Sequence, residues 1–179
     1  MEYCSIIWSP TEQGDINKLE RIQKTFTSKI EGMEGKNYHQ RLKELKLYSL
    51  ERRRERYLII NAWQQIENIR DNILNLKIGG TERRRQILQI HIPWAKNGVK
   101  LKKLSRTQLF NSTKNKMAML FNHLPAHIAN ITGVRTETFK YHLDKWLNTI
   151  PDTPRIDNYS AIVEKQTNSI LDQAKAPLL

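Results

Sequence analysis

The sequence has little cysteine, few acidic residues relative to basic ones, and no long apolar run. Its single cysteine, Cys4, can form neither an internal disulfide nor a cysteine-rich zinc site, and a lone thiol is typical of a reducing compartment. No apolar stretch approaches the roughly 18 residues of a membrane helix. The first residues also lack the basic and apolar regions of a signal peptide. We therefore expect an intracellular protein without membrane spans.

Sequence signatures of catalysis are also missing. The chain has no glycine-rich phosphate-binding motif, and no local triad signature surrounds Cys4 or the serines. Its aspartates are never adjacent, which disfavours the carboxylate cluster of a two-metal polymerase or nuclease. His123 and His127 stand four residues apart, but Pro125 lies between them and no third ligand is evident. The sequence predicts no catalytic residue, metal or cofactor.

Positive charge is concentrated in one segment. The chain has 30 Lys and Arg residues against 18 Asp and Glu, a formal net charge of +12. Residues 77–116 contain eleven basic residues and one acid, a net charge of +10, which leaves +2 for the rest of the chain. Like charges packed this closely usually meet a polyanion, so the segment predicts phosphate binding. A merely solvated basic surface is the alternative.

Apolar spacing predicts helices over most of the remaining chain. Asp15 can cap a first helix that ends at Gly32, whose apolar positions form one core-facing stripe: Ile16, Leu19, Ile22, Phe26 and Ile30. Asn37 and Gln40 predict a capping box. Further amphipathic helices are predicted after Ser112 and from Thr136, and the tail from Asn158 is only weakly periodic.

The third predicted helix, which Ser49 caps, runs to a break at Gly79-Gly80 and begins with an arginine-rich stretch. In one interpretation Glu51 and Glu55 pair with arginines one turn away on a surface helix. In the other, three arginines form a basic strip that binds phosphates: Arg52, Arg53 and Arg56. The pattern alone fits both interpretations.

The basic segment itself predicts a small β-ribbon. Apolar residues alternate from Gln86 to Ile92, Asn97-Gly98 is typical of a hairpin turn, and Val99 to Leu104 can form the returning strand. We predict that its basic residues contact nucleic acid, namely Arg83, Arg84, Arg85, Lys100, Lys102, Lys103 and Arg106. The predicted fold class is therefore mainly α with a small basic β-ribbon. Its three segments are a helical region (1–76), the ribbon (77–116), and C-terminal helices with a loose tail (117–179).

Several strings of residues follow one another in a fixed order. They include Glu2-Tyr3-Cys4-Ser5, Trp8-Ser9-Pro10, Phe26-Thr27-x-Lys29-Ile30, the stretch from Arg41 to Arg56, Leu120-Phe121-Asn122-x-Leu124-Pro125, Phe139-Lys140 and Leu143-Asp144. In this order they resemble the region immediately after the polymerase core in reverse transcriptases of Jockey-like LINE, or non-LTR, retrotransposons. The resemblance covers nearly the whole chain and is strongest from Glu2 to Trp63. The family's Arg-Gly-Arg-like turn is replaced here by Arg83-Arg84-Arg85.

The resemblance implies a helical thumb-like bundle followed by a post-thumb region. In the parent RNA-directed DNA polymerase this region contacts the phosphate backbone while the fingers and palm carry out the chemistry. The palm motif with its adjacent aspartates lies upstream of these residues, so we expect a non-catalytic C-terminal fragment. The implied partners are RNA template, RNA–DNA hybrid or target DNA, together with the fingers-palm portion. The implied location is the nucleus for the parent element, with the cytoplasm as the alternative.

The sequence is also compatible with two other functional classes. The same basic segment predicts a stand-alone, sequence-independent RNA- or DNA-binding protein if no polymerase accompanies it. An adaptor whose basic face meets acidic protein or anionic lipid is less favoured, because the charges do not form an amphipathic basic helix.

Overall fold

The computed structural model describes Ser5, residues 9–69, 78–79, 89–90, 113–154 and 156, and residues 167–174. Within these ranges the chain is helical apart from one short antiparallel pairing, which confirms the predicted mainly α class. The helices are α1 (Gln13–Thr27), α2 (Tyr38–Glu44), α3 (Leu50–Ile66), α4 (Thr113–Asn122), α5 (Ala126–Ala129), α6 (Thr136–Leu147) and α7 (Ile170–Gln173). The pairing joins β1 (Ile78–Gly79) to β2 (Gln89–Ile90).

The starts of α2 and α3 follow local capping signals. The Asn37 side chain accepts a hydrogen bond from the Gln40 N–H, and the Gln40 side chain accepts one from the Asn37 N–H, both at 2.9 Å. This is the predicted capping box at the start of α2. Ser49 Oγ accepts from the Arg52 N–H at 3.2 Å, so the predicted cap of α3 is also confirmed. Helix α6 begins at Thr136, as its spacing predicts.

Helix α3 ends earlier than its spacing predicts. Its last residue is Ile66, well before Gly79-Gly80, so the predicted C-terminal boundary is wrong. Asn68 takes the left-handed conformation at φ 56°, which a short polar side chain tolerates. The Ile69 N–H then donates to the Gln64 carbonyl at 2.9 Å and closes the helix end.

Part of the apolar stripe of α1 that was predicted to face the core is exposed to solvent. The helix begins at Gln13, and Asp15 lies in its first turn rather than at the cap. Ile22 and Phe26 are 53% and 68% exposed. The buried face carries Ile16 and four polar residues instead: Asn17, Glu20, Gln23 and Thr27. The predicted apolar, core-facing stripe is therefore wrong for the second half of this helix.

The described residues include one short antiparallel pairing. Ile78 pairs with Ile90 and Gly79 with Gln89, in antiparallel register. Strand β2 lies inside the predicted strand 86–92, but its partner here is Ile78–Gly79. The predicted turn at Asn97-Gly98 and the returning strand to Leu104 lie outside the described residues.

The chain divides into two compact units, and the division falls inside α3. The first unit contains Met1–Glu55 and Ile150–Leu179, and the second contains Arg56–Thr149. These units are defined by packing, whereas the predicted segments 1–76, 77–116 and 117–179 are defined by charge. The segment division stays a prediction.

Each unit has its own core. In the first unit Tyr38, Leu42 and Ile156 are buried together, with Leu47 packed against them. In the second unit Trp63 stacks on Phe139 with ring centroids 4.5 Å apart and planes 7° apart. The Trp63 Nε1–H also donates to the Ile131 carbonyl at 2.7 Å, so the buried indole has a partner for its polar atom. Trp63 is fully buried in this core.

Candidate functional site

A buried carboxylate lies beside the first residue of α3. Glu20 is 1% exposed and accepts a 2.9 Å hydrogen bond from the Leu50 N–H and a 2.5 Å bond from the Tyr38 hydroxyl. Burial raises the pKa of Glu20, and the bonds from Tyr38 and Leu50 oppose that shift. Burial and the neighbouring carboxylate likewise raise the pKa of Tyr38, because both disfavour the phenolate. Glu20 satisfies one of the N–H groups that a helix start leaves without a helical partner.

A second carboxylate joins the same helix start to the C-terminal segment. Asp152 accepts from the Ser49 N–H at 2.8 Å and from the Ser49 hydroxyl at 2.7 Å. The Asn168 side-chain amide donates to Asp152 at 2.8 Å and to Ser49 Oγ at 3.0 Å. The Thr153 N–H in turn donates to the Asn168 side chain at 2.9 Å. Residues separated by more than a hundred positions are thus held in one polar network.

Glu55 anchors the last described helix. Its carboxylate is fully buried and accepts from the Ser169 hydroxyl at 2.6 Å and from the Ile170 N–H at 2.7 Å. Thr167 adds a 2.6 Å bond from its hydroxyl to Asp172 within the same segment. Although the sequence predicts a loose tail, the residues 167–174 described here are held in place by these bonds.

Two arginines of α3 lie inside the first unit. Arg52 is 0% exposed and donates through Nη2 to the Pro151 carbonyl at 2.7 Å. Its Nε and Nη1 are buried without a hydrogen-bond partner, as are Nη1 and Nη2 of Arg54. Burial lowers the pKa of Arg54, and the carboxylates of Glu51, Glu20 and Glu55 oppose that shift. In the described structure Arg52 therefore does not belong to a surface strip.

The other two predicted arginines of the strip are also engaged. Arg56, in the second unit, makes a bidentate pair with Asp144 at 2.5 and 2.7 Å. Arg53 is half-buried and is not a free cation. Arg52 and Arg56 thus each have a packing role within their own unit.

The basic segment is described only at residues 78–79, 89–90 and 113–116. Arg83, Arg84, Arg85, Lys100, Lys102, Lys103 and Arg106 lie outside the described residues, and their assignment to nucleic acid stays a prediction. Lys114 and Lys116 lie on α4, where both are half-buried and both have partners.

The described ranges contain neither a metal-ligand cluster nor a membrane-spanning helix. Within them, no group of three or more His, Cys, Asp and Glu residues is placed to hold a metal ion. In the same residues no helix combines the length and the apolar character needed to cross a membrane.

The buried polar network is the feature that sequence reasoning missed. A signal for it was present, because Asn17, Glu20, Gln23 and Thr27 follow one another at helical spacing just as the apolar residues of α1 do. All the acidic groups described in this network accept hydrogen bonds from helix starts or from the C-terminal segment. The network therefore joins parts of the first unit that are far apart in the sequence.

Comparison with protein-family models, with curated proteins and with solved structures found no match.

Proposed function

We propose that this chain is a non-catalytic nucleic-acid-binding region, equivalent to the thumb and post-thumb part of a non-LTR retrotransposon reverse transcriptase. The observation that carries the proposal is the distribution of charge. Residues 77–116 hold a net charge of +10 out of the chain's +12. Cations concentrated in this way bind phosphates by releasing counterions, without regard to base sequence. Template–primer duplex, RNA–DNA hybrid or target DNA would each supply such phosphates.

The positions of the α3 arginines support assigning the contact to the basic segment. Arg52 is fully buried, with Nη2 on the Pro151 carbonyl, and Arg56 is paired with Asp144, so neither guanidinium group is open to a phosphate in the described structure. We therefore assign phosphate binding to Arg83, Arg84, Arg85, Lys100, Lys102, Lys103 and Arg106. The helices provide the scaffold, and their mainly α class agrees with the bundle that the sequence resemblance implies.

Nucleic-acid binding is tested with a variant that lacks four cations of the segment. A control variant lacks four cations that lie outside it. The first variant changes Lys100, Lys102, Lys103 and Arg106 to Gln. The control variant removes the same charge from lysines outside the segment, Lys18, Lys36, Lys140 and Lys145. We expect the first variant to weaken binding of a labelled hybrid duplex in fluorescence anisotropy, whereas the control binds almost as the wild type does. Equal losses in both variants would show that net charge alone drives binding and would contradict a specific segment.

The absence of catalysis is tested separately. A polymerase holds two metal ions with clustered carboxylates, and the aspartates of this sequence are never adjacent. The purified chain, given primed template, magnesium and deoxynucleotides, should extend no primer. Extension that is abolished by substituting any one aspartate would contradict the proposal.

The genomic sequence upstream of Met1 tests whether this chain is part of a polymerase. An in-frame palm motif with adjacent aspartates upstream of Met1 would support the fragment interpretation. An upstream reading frame that closes without that motif would instead favour a stand-alone nucleic-acid-binding protein, and the binding test above would keep its meaning.

A further inference from the structure

The outward face of α1 carries large apolar side chains that the described fold does not cover. Ile22 and Phe26 lie one helical turn apart and are 53% and 68% exposed. Together with Thr25 between them they line a shallow depression of about 390 Å³. This exposure follows from the packing of the helix, because its opposite face is fixed inward by the hydrogen bonds of Glu20 and Gln23.

Cations stand at both ends of this depression. Arg21 and Lys29 complete its lining, and both are exposed. No described acidic side chain forms an ion pair with either of them, although Lys18 on the same helix is paired with Asp15 at 2.9 Å. Arg21 lies on α1, and Lys29 follows the last residue of the helix by two positions, so the two cations bracket the apolar pair along the chain. An anionic ligand with an apolar centre is complementary to this arrangement.

We propose that this face of α1 is a docking surface for an acidic amphipathic helix of a partner protein. Such a helix can place two apolar anchors, spaced i and i+4, over Ile22 and Phe26, and its flanking carboxylates can reach Arg21 and Lys29. A nucleic acid fits less well. A base can stack on Phe26, but Ile22 beside it then stays in water, and a phosphate backbone covers neither side chain. The proposal goes beyond the nucleic-acid function, since α1 lies outside the basic segment.

The test uses a synthetic peptide of about 15 residues, with Leu at i and i+4 and Glu on both flanks. Backbone amide shifts of the full chain are followed by NMR during titration. We expect weak binding that shifts the amides of Ile22, Thr25 and Phe26. Phe26→Ser should weaken the binding about tenfold, the effect of uncovering one large apolar contact. Tyr141→Ser, which changes a similarly exposed aromatic residue on α6, is the matched control and should bind as the wild type does.

Charge reversal makes the test sharper. The double variant Arg21→Glu with Lys29→Glu should no longer bind the Glu-flanked peptide. It should instead bind a peptide in which Lys replaces Glu. Both positions are exposed, so the variant should fold, which circular dichroism checks.

Three results would overturn the proposal. The first is equal binding of both peptides by the wild type. The second is an equal loss of affinity in the Tyr141→Ser control. The third is a shift of these amides by a single-stranded oligonucleotide of about 16 nucleotides without any shift by the Glu-flanked peptide, which would assign the face to nucleic acid.

Discussion

Removing the Glu55 carboxylate should detach the C-terminal segment from the start of α3. The side chain is fully buried and accepts from two donors, the Ser169 hydroxyl and the Ile170 N–H, at 2.6 and 2.7 Å. In Glu55→Ala both donors remain in place but lose their acceptor, and Arg54 loses one of the carboxylates that offset its burial. The substitution thus leaves buried polar groups without partners, which costs more than the loss of the bonds alone.

The magnitude follows from the number of orphaned donors. A hydrogen bond to a charged acceptor contributes roughly 1.5–3 kcal/mol, so two such bonds give about 3–6 kcal/mol. Removing one partner of a buried ionic cluster costs a similar amount, about 3–5 kcal/mol. Glu55→Gln keeps one oxygen acceptor and should cost about half as much. Since a domain is stable by only about 5–15 kcal/mol, the alanine variant should be markedly less stable.

Urea denaturation followed by circular dichroism measures the change in the free energy of unfolding, and hydrogen exchange at the Ile170 amide reports the local effect. Glu44→Ala is the control, because Glu44 pairs with Lys36 at the surface and such a pair contributes roughly 0–1 kcal/mol. A Glu55→Ala variant as stable as the Glu44→Ala control, with unchanged protection of Ile170, would refute the network as the element that holds this segment.

Three further outcomes test other parts of the structure. Trp63→Phe should cost about 1–2 kcal/mol in urea denaturation, because it removes the indole bond to Ile131, whereas Trp63→Ala should cost about 3–5 kcal/mol. Burial raises the pKa of Glu20, so its contribution to stability is complete below the ordinary glutamate pKa and is lost as the pH rises through the raised value. Glu20→Gln should flatten that fall across an acid-to-neutral series of denaturation curves, and an unchanged slope would contradict the buried placement. Arg56→Gln removes the half-exposed pair with Asp144 and should cost about 1 kcal/mol while leaving nucleic-acid affinity nearly unchanged. A large loss of affinity in a folded variant would place the binding site on α3.

Local signals were enough to predict the starts of α2 and α3. The Asn37–Gln40 capping box and the Ser49 cap each bind N–H groups within three residues, so the sequence contains all the partners. The mainly helical class follows from the same kind of information. The early end of α3 at Ile66 was not predictable from spacing, because the apolar rhythm continues past the left-handed turn at Asn68.

The orientation of α1 depends on partners that are distant in sequence. Apolar and polar residues both follow a helical rhythm there, and periodicity alone favours burying the apolar set. The structure buries the polar set because the Leu50 N–H, 30 residues away, donates to Glu20, and the Gln23 amide donates to the Tyr48 carbonyl 25 residues away. A local sequence pattern does not reveal hydrogen-bond partners that are 25 or 30 residues away.

The α3 arginines illustrate the same limit. An arginine-rich helix start is compatible with a phosphate site or with internal pairing, and the residues that decide between them lie far along the chain. The Pro151 carbonyl is 99 residues from Arg52, and Asp144 is 88 residues from Arg56. The charge of the segment 77–116, by contrast, is read from the sequence directly, which is why the functional proposal depends on it.

The most direct test of the central claim is the salt dependence of binding to a hybrid duplex. If the basic segment neutralises about five phosphates, the logarithm of affinity should fall against the logarithm of salt concentration with a slope of roughly −4 to −5. Replacing Lys100, Lys102, Lys103 and Arg106 with Gln should bring that slope toward roughly −1 in fluorescence anisotropy. A wild-type slope near zero, or no binding at low salt, would contradict the proposal that residues 77–116 bind phosphates.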